Sequence, residues 1–280
     1  AQLIADFLMY QKRIAQIKSW LEKVEEDDRV HGFVNTNGTI TGRMTHREPN
    51  LAQVPSSSSP YGKECRKCWV VPTGFKLVGI DAASLELRML AHYMNDKEFT
   101  NEVLTGDIHT ANQKLAGLKS RTQAKTFIYA FIYGAGDAKL GTVVGGGRRD
   151  GQQLKQRFLA NLPSLANLKN RVTRAAEKGH IKGLDGRKIF IRSAHSALNA
   201  LLQGAGAIVM KKALQLLNEY ILEKNLDAHF VANIHDEWQI EVAEKDAKEV
   251  GKLGVLAIKN AGIAFDMKCP LDGEYNVGDN

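Results

Sequence analysis

Two acidic positions stand at the ends or turns of strand-like runs in this chain, far apart in sequence. FKLVGID (75–81) closes its apolar run on Asp81, and FVANIHDEWQIEV (230–242) carries Asp236 and Glu237 at its centre. Strict alternation along the second run puts Asp236 on one face with Phe230, Ala232, Ile234, Trp238, Ile240 and Val242. An ionised carboxylate on a buried face is costly unless a cation or an exposing turn compensates it. A hairpin turning at His-Asp-Glu is therefore expected. Neighbouring strands can then bring Asp81 and Asp236 together. Sparse hard-oxygen ligands with room left for substrate phosphates suit Mg2+ better than zinc. An acidic hairpin tip and an unrelated helix-capping aspartate would leave the same pattern in the sequence.

Between these runs lies SRTQAKTFIYAFIYGAG (120–136), with Arg121, Lys125, Tyr129 and Tyr133 at intervals of four. In a helix such steps drift by only ~40° and make one stripe about 18 Å long. Ala124, Phe127, Ile128 and Phe131 fall on the opposite side. Two cations ~6 Å apart along the axis suit successive phosphates of a triphosphate, and the phenol rings offer flat faces to a sugar or base. A surface helix with solvated basic residues is the other reading of the same stripe.

The elements that must hold these groups are legible from periodicity and turn signals. The opening AQLIADFLMYQKRIAQIKSWL has helical spacing, no signal-peptide layout, and no initiator Met or cap, so a fragment of a longer protein beginning within a helix is expected. GFVNTNGTITGRM reads as short strands joined by turns, and PSSSSPYG as a loop. FKLVGID reads as a buried strand leading into the helix SLELRMLAHYM. Residues 96–180 read as almost wholly helical, interrupted at Gly145-Gly146-Gly147. A short strand at 187–192, a long amphipathic helix at 198–224, and a helix near 244–261 complete the pattern. Strand regions flanking a helical middle predict an α+β fold with a helical insertion.

The bulk numbers agree with a globular chain and a polyanionic partner. The 280 residues are 44% hydrophobic and 25% charged, with net charge +7. No apolar run reaches the ~20 residues of a membrane span. The cysteines Cys65, Cys68 and Cys269 are odd in number and lack framework spacing, which predicts a reducing, cytoplasmic setting. Cys65 and Cys68 alone do not complete a four-ligand zinc site.

DAASLELR (81–88), RTQAKTFIYAFIYG (121–134) and IHDE (234–237) occur in that order. They resemble motifs A, B and C of the family A, DNA polymerase I-like, DNA polymerases. TGRMTHREPNLAQVP, GDIHTANQ and AKTFIYAFIYGAGDAKLG are similar to segments of the replicative enzymes of short-tailed bacteriophages. The resemblance runs from about Val30 to the chain end. It implies a right-hand polymerase fold with an antiparallel-sheet palm at 29–95 and 187–280. Mostly helical fingers would occupy 96–186, with the motif B helix at 120–134. Residues 1–28 would be a thumb-side helix remnant, the thumb being largely missing.

The same resemblance implies template-directed DNA synthesis from dNTPs on a primer-template, by a mechanism using two Mg2+ ions. Asp81 and Asp236 would be metal carboxylates, the Ala82 carbonyl a further ligand, and Glu237 an adjacent acid. Arg121, Lys125 and His109 would hold the triphosphate, with Lys125 protonating departing pyrophosphate. Glu86 would exclude a 2′-hydroxyl beside Tyr129, and Tyr133 would be the template-side aromatic. Arg43, Asn199, Gln203 and His235 would contact DNA near the primer end. Ala52 departs from cellular relatives, which often carry Gln there, and resembles phage members. A thioredoxin-like processivity factor is implied for the missing thumb, and no membrane partner. A single-subunit RNA polymerase and a catalytically incompetent DNA-binding fragment are the rival functions.

Overall fold

The computed structural model describes residues 2–280. In chain order it contains α1 (Gln2–Leu21), β1 (Phe33–Asn35), β2 (Thr45–Arg47), α2 (Gly62–Arg66), β3 (Phe75–Ala82), α3 (Leu85–Met94), α4 (Lys97–Leu104), α5 (Ile108–Ala116), α6 (Arg121–Ile132) and α7 (Asp137–Thr142). There follow α8 (Arg148–Asn161), α9 (Pro163–Ala176), β4 (His180–Lys182), β5 (Lys188–Phe190), α10 (Ala197–Glu223), β6 (Ala228–Ile234), β7 (Glu237–Ala243), α11 (Ala247–Ala264) and β8 (Gly273–Gly278). Two compact units result. One comprises Ala1–Asp81, Leu217–Val255 and Glu274–Asn280; the other comprises Ala82–Leu216 and Leu256–Gly273.

The first unit is organised by a four-stranded sheet in the order β6-β7-β3-β8. The pairs β6–β7 and β3–β7 are antiparallel. Alternation sorts the central strands cleanly. Val78 and Ile80 of β3, with Trp238, Ile240 and Val242 of β7, are fully buried. Gly254 of α11 packs against the Ile80 side chain, where an added Cβ would come within 2.3 Å of Ile80 Cδ1. The opposite face of β3 and β7 carries Leu77, Gly79, Asp81, Glu237, Gln239 and Glu241, which border a groove of about 1110 Å³. Arg29 reaches that face and forms a bidentate ion pair with the nearly buried Glu241, at 2.9 and 3.1 Å.

Strict alternation does not extend through β6. A register shift between Phe230 and Ala232 leaves Val231 as the extra residue, so Phe230 pairs with Ile240 but Ala232 pairs with Gln239. Directly paired residues share a face, so the bulge moves Ala232 and Ile234 to the polar face, away from Trp238. An inserted residue changes pairing without changing composition, which is why the alternation pattern missed it.

In the second unit the helical stretch resolves into α4 through α9. Its core includes Phe127 and Phe131 of α6 packed edge-on against Phe158 of α8, at 5.1 and 5.8 Å between ring centres. Phe158→Ala is expected to destabilise this unit by about 3–5 kcal/mol through the cavity it leaves. A shift of the denaturant midpoint with unchanged m-value checks it, and a loss below about 1 kcal/mol would contradict it. The short strands β4 and β5 pair with each other. Of these only the second, and of the sheet strands not β8, had a signal in the sequence, because three-residue strands and an exposed terminal strand carry little periodicity.

Candidate active site

The expected hairpin forms, and its tip is unusually tight. β6 ends at Ile234 and β7 begins at Glu237, so His235 and Asp236 make the turn. The Asp236 amide donates to the Ile234 carbonyl at 2.7 Å, an i to i+2 bond, and His235 sits at φ 58°. A non-glycine residue at positive φ inside so short a turn is strained by about 1–3 kcal/mol. The turn removes Asp236 from the buried strand face and leaves it half-buried. The pairing of β3 with β7 sets Asp81 directly opposite Glu237. Asp81, Asp236 and Glu237 thus lie at the same end of one sheet. The ring of His235 lies 6.4 Å from that of His46, which is held below the usual histidine range by burial. Arg43 lies between β1 and β2, where its amide donates to Thr39 Oγ1 at 3.0 Å.

After β3 the chain enters α3 within a few residues. Ser84 adopts a left-handed conformation at φ 51°, and Ala83 N donates to Asp272 O. Arg88, buried to 8% exposure, donates to the carbonyls of Ala83 and Pro270. This guanidinium fixes the backbone next to the buried Ala82 and the half-buried Glu86. The sequence marked Arg88 only as part of a helix and as the last residue of the segment DAASLELR. Burial and carbonyl partners reveal its role.

Helix α6 starts on Ser120, whose hydroxyl accepts from Gln123 N at 3.2 Å. Its apolar side buries Ala124, Phe127, Ile128 and Phe131, while Arg121 and Lys125 are exposed. Tyr133 lies one residue past the last helical turn yet keeps the stripe, stacking on Tyr129 with ring centres 6.4 Å apart. Gly134 follows at φ 75°, where an added Cβ would approach the His195 carbonyl to 2.9 Å. The Tyr133 hydroxyl donates to Glu86 at 2.7 Å, tying the end of α6 to the start of α3. The resemblance sets Tyr129 beside Glu86, and Tyr133, the next aromatic along the stripe, bonds to the same carboxylate.

Asp107 caps α5, accepting from the amides of His109 and Thr110 and from the Thr110 hydroxyl, and it also pairs with Arg121 at 2.7 Å. The Arg121 guanidinium, then the Thr110 hydroxyl, hold its carboxyl well below the usual range. An aspartate just before a helical run is an N-cap signal, so its capping role was legible; its pairing with Arg121 was not. The buried His109 ring is 6.1 Å from Tyr129. Burial, followed by the charges of Arg121 and Lys125, pushes its pKa down. Asn199 and Gln203 are half-buried, one turn apart on α10.

The expected site residues fall in both units. Arg43, Asp81, His235, Asp236 and Glu237 belong to the first unit. Ala82, Glu86, His109, Arg121, Lys125, Tyr129, Tyr133, Asn199 and Gln203 belong to the second. Among the described residues no cluster of three or more His, Cys, Asp or Glu forms a complete metal cage. All three cysteines are free thiols. No described helix is long and apolar enough to cross a membrane.

Comparison with known proteins places this geometry in context. The chain is 42% identical over 99% of its length to a DNA-directed DNA polymerase of Enterobacteria phage T3, and equally to one of Escherichia phage T7. It covers 45% of each relative, so it spans about half their length. The polymerase domain of Pol1 from M. smegmatis, solved with DNA primer-template and dNTP, superposes with a TM-score of 0.86 at 23% identity. That likeness covers 95% of this chain and 50% of the other, and it establishes the shared fold. The family model for DNA polymerase family A matches residues 1–280 throughout. The chain belongs to DNA polymerase family A.

Proposed function

We propose that this chain carries out template-directed transfer of deoxynucleotides from dNTPs to a primer 3′-hydroxyl, releasing pyrophosphate, in bacteriophage DNA replication within the host cytoplasm. The observation that carries the reading is the β3–β7 register, which opposes Asp81 to Glu237 beside Asp236 at the turn. Residues 29–95 and 187–280 act as the palm, 96–186 as the fingers, and 1–28 as a thumb-side helix. A thioredoxin-like processivity factor is a further partner in this reading.

Asp81, Asp236 and the Ala82 carbonyl fit divalent cations such as Mg2+ because they are hard oxygen donors, few in number, with both carboxylates half-buried at one sheet end. When bound, a pair of Mg2+ ions supplies Lewis-acid activation and charge neutralisation for in-line displacement. The protein's own residues orient and neutralise. Arg121 and Lys125 grip the triphosphate, and His109 donates to it. Arg121 exchanges its partner Asp107 for a phosphate as substrate arrives, which couples triphosphate binding to the start of α5. Lys125 holds a proton at Nζ for the departing pyrophosphate. Tyr133, released from Glu86, makes way for the template base; Glu86 then faces the sugar and excludes a 2′-hydroxyl. Tyr129 stacks beside the incoming sugar and base. Arg43, Asn199, Gln203 and His235 hold the primer end, where minor-groove acceptors shared by all Watson–Crick pairs report pair geometry and not sequence.

Extension of a labelled primer-template in Mg2+ tests the reading. Stepwise incorporation of dNTPs, with rNTPs disfavoured by at least about a hundredfold, is expected. Equal use of rNTPs would favour an RNA polymerase. A gel shift without extension would favour a DNA-binding fragment.

A further inference from the structure

Helix α5 buries Ile108, His109, Asn112 and Ala116 along one stripe. Two of these are polar and lack satisfied atoms. Asn112 is fully buried, and neither its Oδ1 nor its Nδ2 has a hydrogen-bond partner in the protein. His109 is 9% exposed, and its buried Nδ1 likewise has none. Leaving a buried amide unpaired costs about 1–3 kcal/mol, so three such atoms one turn apart call for an explanation. Residues at i and i+3 have Cβ atoms about 5–6 Å apart, a span that an asparagine amide and an imidazole Nδ1 close into a hydrogen bond by a side-chain rotation.

The chemistry of a neutral imidazole gives this pair a direction. One ring nitrogen must donate and the other accept, and the partner of the inner nitrogen decides which does which. A phosphate oxygen takes a donor only. We propose that Asn112 is a positioning residue that donates from Nδ2 to His109 Nδ1, thereby holding the ring as the Nε2–H tautomer that offers its proton to the incoming triphosphate. This rests on the triphosphate role of His109 given above. The charges acting on the ring are Arg121 and Lys125 of α6 and Asp107 at the start of α5. Tyr129 of α6 faces it. Among the described residues, α4 and α8 add none to the charges that act on it. Burial, then the two cations, push the ring toward its neutral form, whose tautomer a neighbour must set.

Nitrogen-15 NMR of the histidine ring in the 280-residue chain, without substrate, decides the tautomer. The expected result is a pyridine-like Nδ1 and a pyrrole-like Nε2 for His109; an Nδ1–H ring would overturn the proposal whatever the kinetics. In Asn112→Asp a carboxylate can only accept, so Nδ1 gains a proton and the His109 pKa rises by about one unit or more. An unchanged titration in that folded variant would also overturn it. Asn112→Leu is expected to raise the KM for dNTP by roughly tenfold with little change in kcat. Should the tautomer be as stated while KM stays put, the Asn112 bond stands as a structural feature, and both the positioning role and the triphosphate role of His109 fail. Asn112→Thr, smaller and still able to donate, serves where the leucine variant does not fold. It should retain the Nε2–H ring, and loss of that tautomer would count against the proposal.

Discussion

Asp81→Asn and Asp236→Asn are each expected to lower primer extension by at least about a thousandfold while leaving primer-template affinity within a few-fold of the parent. The amide is nearly isosteric, so the strand end and the hairpin keep their shape, and what is lost is the negative charge that would hold a divalent cation. Affinity for DNA should not fall, because removing an acid near phosphates reduces repulsion. Single-turnover extension and gel shifts on the same primer-template separate the two effects. Glu237→Gln is the internal control. It sits opposite Asp81 in the register, with Gln239 donating to it, and should cost no more than about tenfold. Residual turnover within tenfold of the parent in either aspartate variant would remove that residue from the metal site.

Lys125→Ala is expected to lower kcat/KM by about a hundred- to a thousandfold, through both affinity and rate. Its neighbour Arg121 shares its charge with Asp107 in this state, so the second cation of the stripe matters more for a newly arriving triphosphate. The two proposed functions of Lys125 are separable. Lys125→Arg keeps the charge but cannot readily give up a proton, since a guanidinium remains protonated. Affinity for dNTP should therefore recover toward the parent, while the rate of the chemical step stays low. Pre-steady-state incorporation measured over a range of dNTP concentrations resolves the two. Full recovery of rate in the arginine variant would leave charge neutralisation alone and dismiss the proton transfer.

Much of the site was readable because its parts are locally specified. The four-residue spacing of Arg121, Lys125, Tyr129 and Tyr133 needs only helical geometry to become a stripe, and the Ser120 cap and apolar opposite side set that helix in place. An aspartate amid strand-like alternation signals a turn, because burying it unpaired is too costly, and the turn does fall at His235 and Asp236. What remained hidden depends on partners far away in the chain. Register decides that Asp81 faces Glu237, and no local property of either strand encodes it. A bulge at Val231 reassigns the faces of β6 while leaving its composition untouched. The bonds from Tyr133 to Glu86 and from Arg121 to Asp107 join elements 47 and 14 residues apart.

By itself, then, the sequence determined which residue types could meet phosphates and cations, and on which helical face or turn each would stand, since periodicity and desolvation act over a few residues. Only the tertiary structure decided which strand pairs with which and which acid holds which cation or phenol, because those choices are made by packing between segments that the chain brings together from a distance.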